Sequence, residues 1–234
     1  MALKPISADV VDRITCLVIG DYGIGKTSLL RTLPEGERAC TLNGEGGLLA
    51  VRDLVKKKMV EGFNISSIPE LEDALMLLGT NAEMKQRYQW VFIDSLTEIA
   101  DRCETEYKGR YPNKEDTFKM WGEYSDKMTL LVKAFRDLHP YNVVFTCLPT
   151  VDKDENNRRY IAPNMAGKGL KELLPSFFDE VFYMVDVQGE GGQTNRVFQT
   201  FRTSQIPGKD RSGALQPYEP PDLGVIRSKI LADA

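Results

Sequence analysis

Residues 14–30 read ITCLVIGDYGIGKTSLL. An apolar strand runs into a glycine-rich turn, and the turn runs into a helix-like segment. Gly20, Gly25, Lys26 and Thr27 fill the fixed places of the pattern G-x-x-x-x-G-K-[ST], and Gly23 adds another residue with no side chain to obstruct a ligand. Such a turn is a phosphate-binding loop. Its glycines let successive backbone N–H groups face an anion, and the following helix adds the partial positive charge of its N-terminus. The expected nucleotide-binding set is Gly20, Asp21, Tyr22, Gly23, Ile24, Gly25, Lys26, Thr27 and Ser28. Within it, Lys26 is expected to reach the β- and γ-phosphates of ATP, and the Thr27 hydroxyl to sit on Mg2+.

The 234 residues suffice for one large α/β domain or two small ones, and the reading favours one domain over 1–234. Residues 1–13 then form an N-terminal extension and 214–234 a tail with a helix. Apolar residues at 42% and charged ones at 27% are ordinary globular usage and exclude a wholly disordered chain. The net charge of −4 gives no global attraction to nucleic acid, so any such contact must come from local basic loops. No apolar run is long enough to span a bilayer, and the first thirteen residues lack the apolar core of a secretory signal. The expectation is a cytoplasmic protein without membrane association. Cys16, Cys40, Cys103 and Cys147 have no C-x-x-C spacing and His139 is the single histidine, which leaves neither a zinc site nor a His-based triad. The cysteines read as reduced and mostly buried.

Beyond the loop, a helix over 26–33 stops at Pro34, which cannot continue it. A strand over 39–42 runs into Asn43-Gly44-Glu45-Gly46-Gly47, a carboxylate at a strand end, where open α/β sheets hold their ligands. A solvated surface turn is the other reading of Glu45. Residues 48–62, with Lys56-Lys57-Lys58, resist assignment; a lysine run is usually a solvated face. A helix over 69–78 precedes the strand Trp90-Val91-Phe92-Ile93, which ends in Asp94-Ser95. Asp94 is expected to meet the Mg2+ held by Thr27, or else to cap the helix over 96–107. A long helix over 116–138 turns Trp121, Met128, Leu131 and Phe135 inward, and a strand covers 142–148. Residues 149–167 read as a long polar loop in which Arg158, Arg159 and Tyr160 suit a single strand of nucleic acid, through phosphate contact and base stacking, or form plain mobile surface. A helix over 167–174, two strands over 179–187 and 196–203 joined as a hairpin, a loop with Lys209 and Arg211, a proline-rich run and a terminal helix from 223 complete the chain. The class is α/β, a mostly parallel sheet flanked by helices with a C-terminal antiparallel hairpin.

Asp94 is not followed by the Asp-x-x-Gly of a GTPase, and Ser95 stands where an AAA+ ATPase has a glutamate to polarise water. Glu45 is then the candidate for that role. This arrangement resembles the RecA/RadA superfamily, whose second strand ends in Asp-x-Glu-Gly and whose Walker B strand ends in Asp-Ser; here the residues are Asn43-Gly44-Glu45-Gly46 and Asp94-Ser95. Lys209-Asp210-Arg211 looks like the Lys-x-Arg finger of that superfamily, which reaches the nucleotide of the neighbouring subunit. More closely, the order of motifs is similar to phage-encoded Sak-type single-strand annealing ATPases, short RecA-like cores. That resemblance implies a RecA-like fold and hydrolysis of ATP with Mg2+ by Glu45, Lys26, Lys209 and Arg211. It also implies single-stranded DNA and a single-strand binding protein as partners, self-association into a ring or filament, and the host cytoplasm as location. Two departures stand out. Thr146 and Cys147 occupy the strand end where recombinases place a glutamine sensor, and Asn43 replaces the usual aspartate. A nucleotide switch or small-molecule kinase that does not act on DNA is the competing reading.

Overall fold

A computed structural model describes residues 12–232. The expected extension over 1–13 lies, apart from its last two residues, outside the described residues, as do the final two residues of the tail. Eleven strands are described: β1 (Thr15–Gly20), β2 (Ala39–Asn43), β3 (Val60–Asn64), β4 (Trp90–Asp94), β5 (Asn142–Cys147), β6 (Pro149–Lys153), β7 (Arg159–Pro163), β8 (Glu180–Gln188), β9 (Thr194–Gln199), β10 (Lys209–Asp210) and β11 (Tyr218–Glu219). Seven α-helices accompany them: α1 (Arg52–Lys56), α2 (Ile68–Thr80), α3 (Ala82–Arg87), α4 (Leu96–Arg110), α5 (Thr117–Arg136), α6 (Lys168–Leu173) and α7 (Leu223–Ile230).

The main sheet runs β11-β9-β8-β1-β5-β4-β2-β3, with β10 also on β8. Its six strands from β8 to β3 are mutually parallel, while β9, β10 and β11 pair antiparallel at one edge. The reason lies in strand composition. Alternate residues of a strand face opposite sides, and in TCLVIG both sets are apolar, so both faces must be covered. Leu17, Ile19, Val91, Ile93, Val143 and Phe145 pack on one side with residues of α2, α4, α5 and α6. Cys16, Val18, Phe92, Val144 and Phe182 pack on the other with Leu29, Leu30, Val51 and α7. The α/β architecture expected from the sequence, with its parallel sheet and C-terminal antiparallel pair, is the one found.

Three local readings need correction. The short helix expected over 26–33 is present but shorter, a 3-10 helix over Thr27–Thr32. It is two turns long, Leu33 is already extended before Pro34, and Thr32 is tied to Leu29 O and to Leu223 N, and short pieces of chain readily take the tighter i→i+3 form. Residues 149–167 are not a long loop but mostly the antiparallel ribbon β6–β7. Its turn is closed by Asp154 Oδ1, which accepts from the amides of Asn156 and Arg158, with Asn157 at φ 62°, a left-handed position that asparagine tolerates. Finally, the hairpin strand expected over 196–203 is shifted: β9 spans Thr194–Gln199.

Candidate active site

The parallel strands end on a common rim. Gly20 closes β1, Cys147 closes β5, Asp94 closes β4 and Asn43 closes β2. Asp94 is level with Asn43 across β4 and β2, while β5 separates β4 from the strand that carries the phosphate loop. The chain therefore brings Thr27 and Asp94 together over the top of β5: Thr27 Oγ1 donates to Asp94 Oδ2 at 2.6 Å. The other carboxylate oxygen of Asp94 accepts from the Thr146 hydroxyl of β5. Asp94 and Thr146 are 2% and 0% exposed, so both oxygens of a buried carboxylate are held by hydroxyl donors.

The loop itself is an open cradle. Gly23 and Gly25 have φ of +71° and +98°, and a β-carbon on Gly23 would meet nothing within 4 Å. Tyr22 projects into solvent, Ile24 packs on the core, and Asp21 is exposed. Lys26 is buried and folded back, with Nζ donating to Gly20 O at 2.7 Å and Asp21 O at 2.9 Å. Burial pushes its ammonium down from the ordinary lysine range, and the carboxylates of Glu45 and then Asp94 act against that shift. The Glu45 carboxylate, exposed just beyond the end of β2, is thus near enough to act on the charge of Lys26.

The glycine before Glu45 is fastened to the rim. Gly44 N donates to Asp94 O at 2.8 Å, and Gly44 O accepts from Arg102 Nη2 at 2.8 Å. A β-carbon on Gly44 would lie 3.1 Å from Glu98 Cβ and 3.3 Å from Ser95 O, so glycine lets this loop seat closely on the first turns of α4, where a side chain would push the neighbours back. Asn43 adds a further tie, its Oδ1 accepting from Gly46 N at 3.2 Å. The peptide between Asp94 and Ser95 is cis, and the Ser95 hydroxyl is buried with no hydrogen-bond partner among the described residues.

Not every expected residue joins this rim. Lys209 and Asp210 lie opposite Val181 and Glu180 of β8, below the level of Met184, which is the partner of Gly20. Arg211 Nη1 pairs with Asp179 Oδ1 at 2.7 Å, and Lys209 Nζ donates to Phe178 O at 2.5 Å. Both cations are thus held toward the opposite end of the sheet from their own phosphate loop. Arg158 and Arg159 are exposed near the turn of the β6–β7 ribbon, and Tyr160 is half-buried with its hydroxyl on Glu172 Oε1 at 3.0 Å. That ribbon, α6 and residues 202–209 border a groove of about 710 Å³ whose lining includes Tyr160, Lys168, Arg202 and Lys209. All four cysteines are free and buried. Among the described residues no helix is long and apolar enough to cross a membrane.

A family model described as AAA domain matches residues 12–212. The chain belongs to the AAA domain family. No curated protein matches it. The match covers β1 through β10 and includes every residue of the rim, so the rim belongs to an AAA-type P-loop ATPase domain. The donor set at its centre suits a hard cation. Thr27 and Asp94 offer a hydroxyl and a carboxylate at contact distance, oxygen ligands of the kind Mg2+ takes alongside water and phosphate oxygens. Two features of this AAA domain were not foreseen: that Thr146, already placed at the end of its strand, holds Asp94 once β5 lies between β1 and β4, and that the hairpin register brings Arg196 to the loop.

Proposed function

We propose that this AAA domain hydrolyses ATP with Mg2+ in the manner of a RecA-like core, one domain that assembles with copies of itself and acts on single-stranded DNA. The observation that carries the reading is the placement of Glu45 beside the rim that holds Lys26 and Asp94, in a chain whose Asp94 is followed by serine. Lys26 binds the β- and γ-phosphates, Thr27 and Asp94 orient Mg2+, and Glu45 takes the proton of the attacking water. When bound, the ion neutralises charge that develops on the transferred phosphoryl group. Lys209 and Arg211 serve a neighbouring subunit. Their position away from their own loop supports that division, and Arg211 is 62% exposed on an ion pair that a partner's phosphates can displace. For the nucleic acid, the support is local charge: Arg158 and Arg159 on the ribbon and the cations of the adjoining groove, in a chain of net charge −4.

Mixing tests the shared site. Lys26→Ala and Arg211→Ala subunits, each inactive alone, should recover part of the ATPase rate together, because some interfaces pair an intact loop with an intact arginine; no recovery sinks the cross-subunit role. Single-stranded DNA should raise the ATPase rate, and the stimulation should weaken as salt rises through counterion release. A rate indifferent to DNA, with a monomeric elution volume, favours a nucleotide switch or small-molecule kinase.

A further inference from the structure

The β8–β9 hairpin overhangs the phosphate loop. Met184 is level with Gly20, so β8 continues four residues past the rim to Gln188. In that overhang Asp186 faces Arg196 across the two strands. Asp186 holds the guanidinium by two contacts, Nε to Oδ1 at 2.9 Å and Nη2 to Oδ2 at 3.2 Å. A fork held in this way has one nitrogen left to point elsewhere. Nη1 has no partner among the described residues, and a β-carbon placed on Gly25 would lie 3.2 Å from it. Gly25 is the residue immediately before Lys26, within the cradle itself.

The side from which Arg196 approaches is informative. Thr27, Asp94, Thr146 and Glu45 gather where β5, β4 and β2 end, on one flank of β1, whereas β8 and β9 lie on the other. A triphosphate with its terminal phosphoryl group toward Glu45 and Asp94 extends its remaining length toward the hairpin. We infer that Arg196, oriented by Asp186, is a nucleotide-binding residue that contacts the α-phosphate from within the same subunit. The inference rests on the nucleotide reading above and adds to it a cation distinct from Lys209 and Arg211, which act across a subunit boundary. Asp186 is a positioning residue, since it reaches the ligand only through Arg196.

The contrast between ADP and pyrophosphate tests it. Both fill the end of the cradle near Lys26, but only ADP carries a nucleoside-linked α-phosphate. Calorimetric titration of the full chain with Mg2+ present should show Arg196→Ala weakening ADP by about ten- to hundredfold, the range of a lost hydrogen bond to a charged group. Pyrophosphate affinity should stay within about threefold. Asp186→Asn, which keeps the cation but loosens its hold, should give a smaller loss of ADP affinity. The Asp186–Arg196 pair is about two-fifths exposed on each side, so the thermal midpoint of either variant should stay close to that of the parent. Unchanged ADP binding in Arg196→Ala would mean a surface ion pair and nothing more. Equal losses for ADP and pyrophosphate would overturn the α-phosphate assignment. A parent protein that binds ADP but ignores the substitution sinks this inference alone, whereas one that binds neither ligand sinks the nucleotide reading as well.

Discussion

Thr27 Oγ1 lies 2.6 Å from Asp94 Oδ2, although 67 residues separate the two in the chain. The contact is made across the end of β5, whose Thr146 hydroxyl holds the second oxygen of the same carboxylate. Asp94→Asn keeps the shape and removes the charge. Mg2+-dependent phosphate release should fall by about two orders of magnitude or more, the scale of losing one preorganised electrostatic group in a closed site. A rate within threefold of the parent would remove Asp94 from the metal site.

Glu45 is exposed, so its replacement should spare the fold. Glu45→Gln is expected to stay within about 0.5 kcal/mol of the parent in stability, as surface substitutions do, and to bind ATP as tightly. Turnover should drop by about 10²- to 10⁴-fold, the contribution of a positioned general base. Equal turnover in single-turnover phosphate release would show that the water is primed elsewhere.

Gly44 offers a test of aim as distinct from chemistry. In Gly44→Ala the new methyl meets Glu98 Cβ at 3.1 Å and Ser95 O at 3.3 Å, and at least the second is backbone that cannot swing aside. Overpacking of this kind costs about 1–3 kcal/mol, which urea unfolding will read. Hydrolysis at temperatures where the variant is folded should also fall, because the shift moves Glu45. A destabilised variant with full turnover would mean the loop tolerates displacement.

Glu180, buried at the base of β8, has its carboxyl raised from the ordinary 4.5 to about 8, first by burial and then by the charge of Asp210, against the pull of the Ser212 amide. A carboxyl whose pKa is higher in the folded state than in the unfolded one holds a proton that the unfolded chain has released. Its contribution to stability is therefore complete below about pH 4.5 and is lost as pH rises toward 8. Glu180→Gln removes this dependence. The melting temperature of the variant minus that of the parent should grow more positive from pH 5 to pH 8; a constant difference would place the Glu180 carboxyl in the ordinary range.

The parts of the site that were legible are those whose chemistry is local in sequence. Gly20 to Thr27 form one short pattern, Asp94 ends a run of four apolar residues, and Glu45 sits between glycines after another strand. What was not legible depends on burial or on pairing. β3 buries only Val60 of its five residues, so neither an apolar run nor a clear alternation marks it. β6 has no buried residue at all and is set by its register with β7; the asparagine pair near its turn was the available signal. Thr146 and Arg196 are ordinary residue types in ordinary strands. Their place at the site follows from strand order and hairpin register, which no single stretch of chain encodes.

Asp179 ties the two ends of the proposed chemistry to one short rod. Its Oδ2 accepts from Thr15, the first residue of β1, at 2.9 Å, while its Oδ1 carries Arg211. Gly20, at the far end of the same strand, opens the phosphate loop. Five steps of about 3.3 Å set the span from Thr15 to Gly20 near 17 Å, and pairing with β5 and β8 on both sides keeps it from bending. In the proposed assembly, the arginine lent to a neighbour and the phosphate loop of the same chain would be opposite ends of a single stiff lever, so a pull on the first would be delivered at the base of the second.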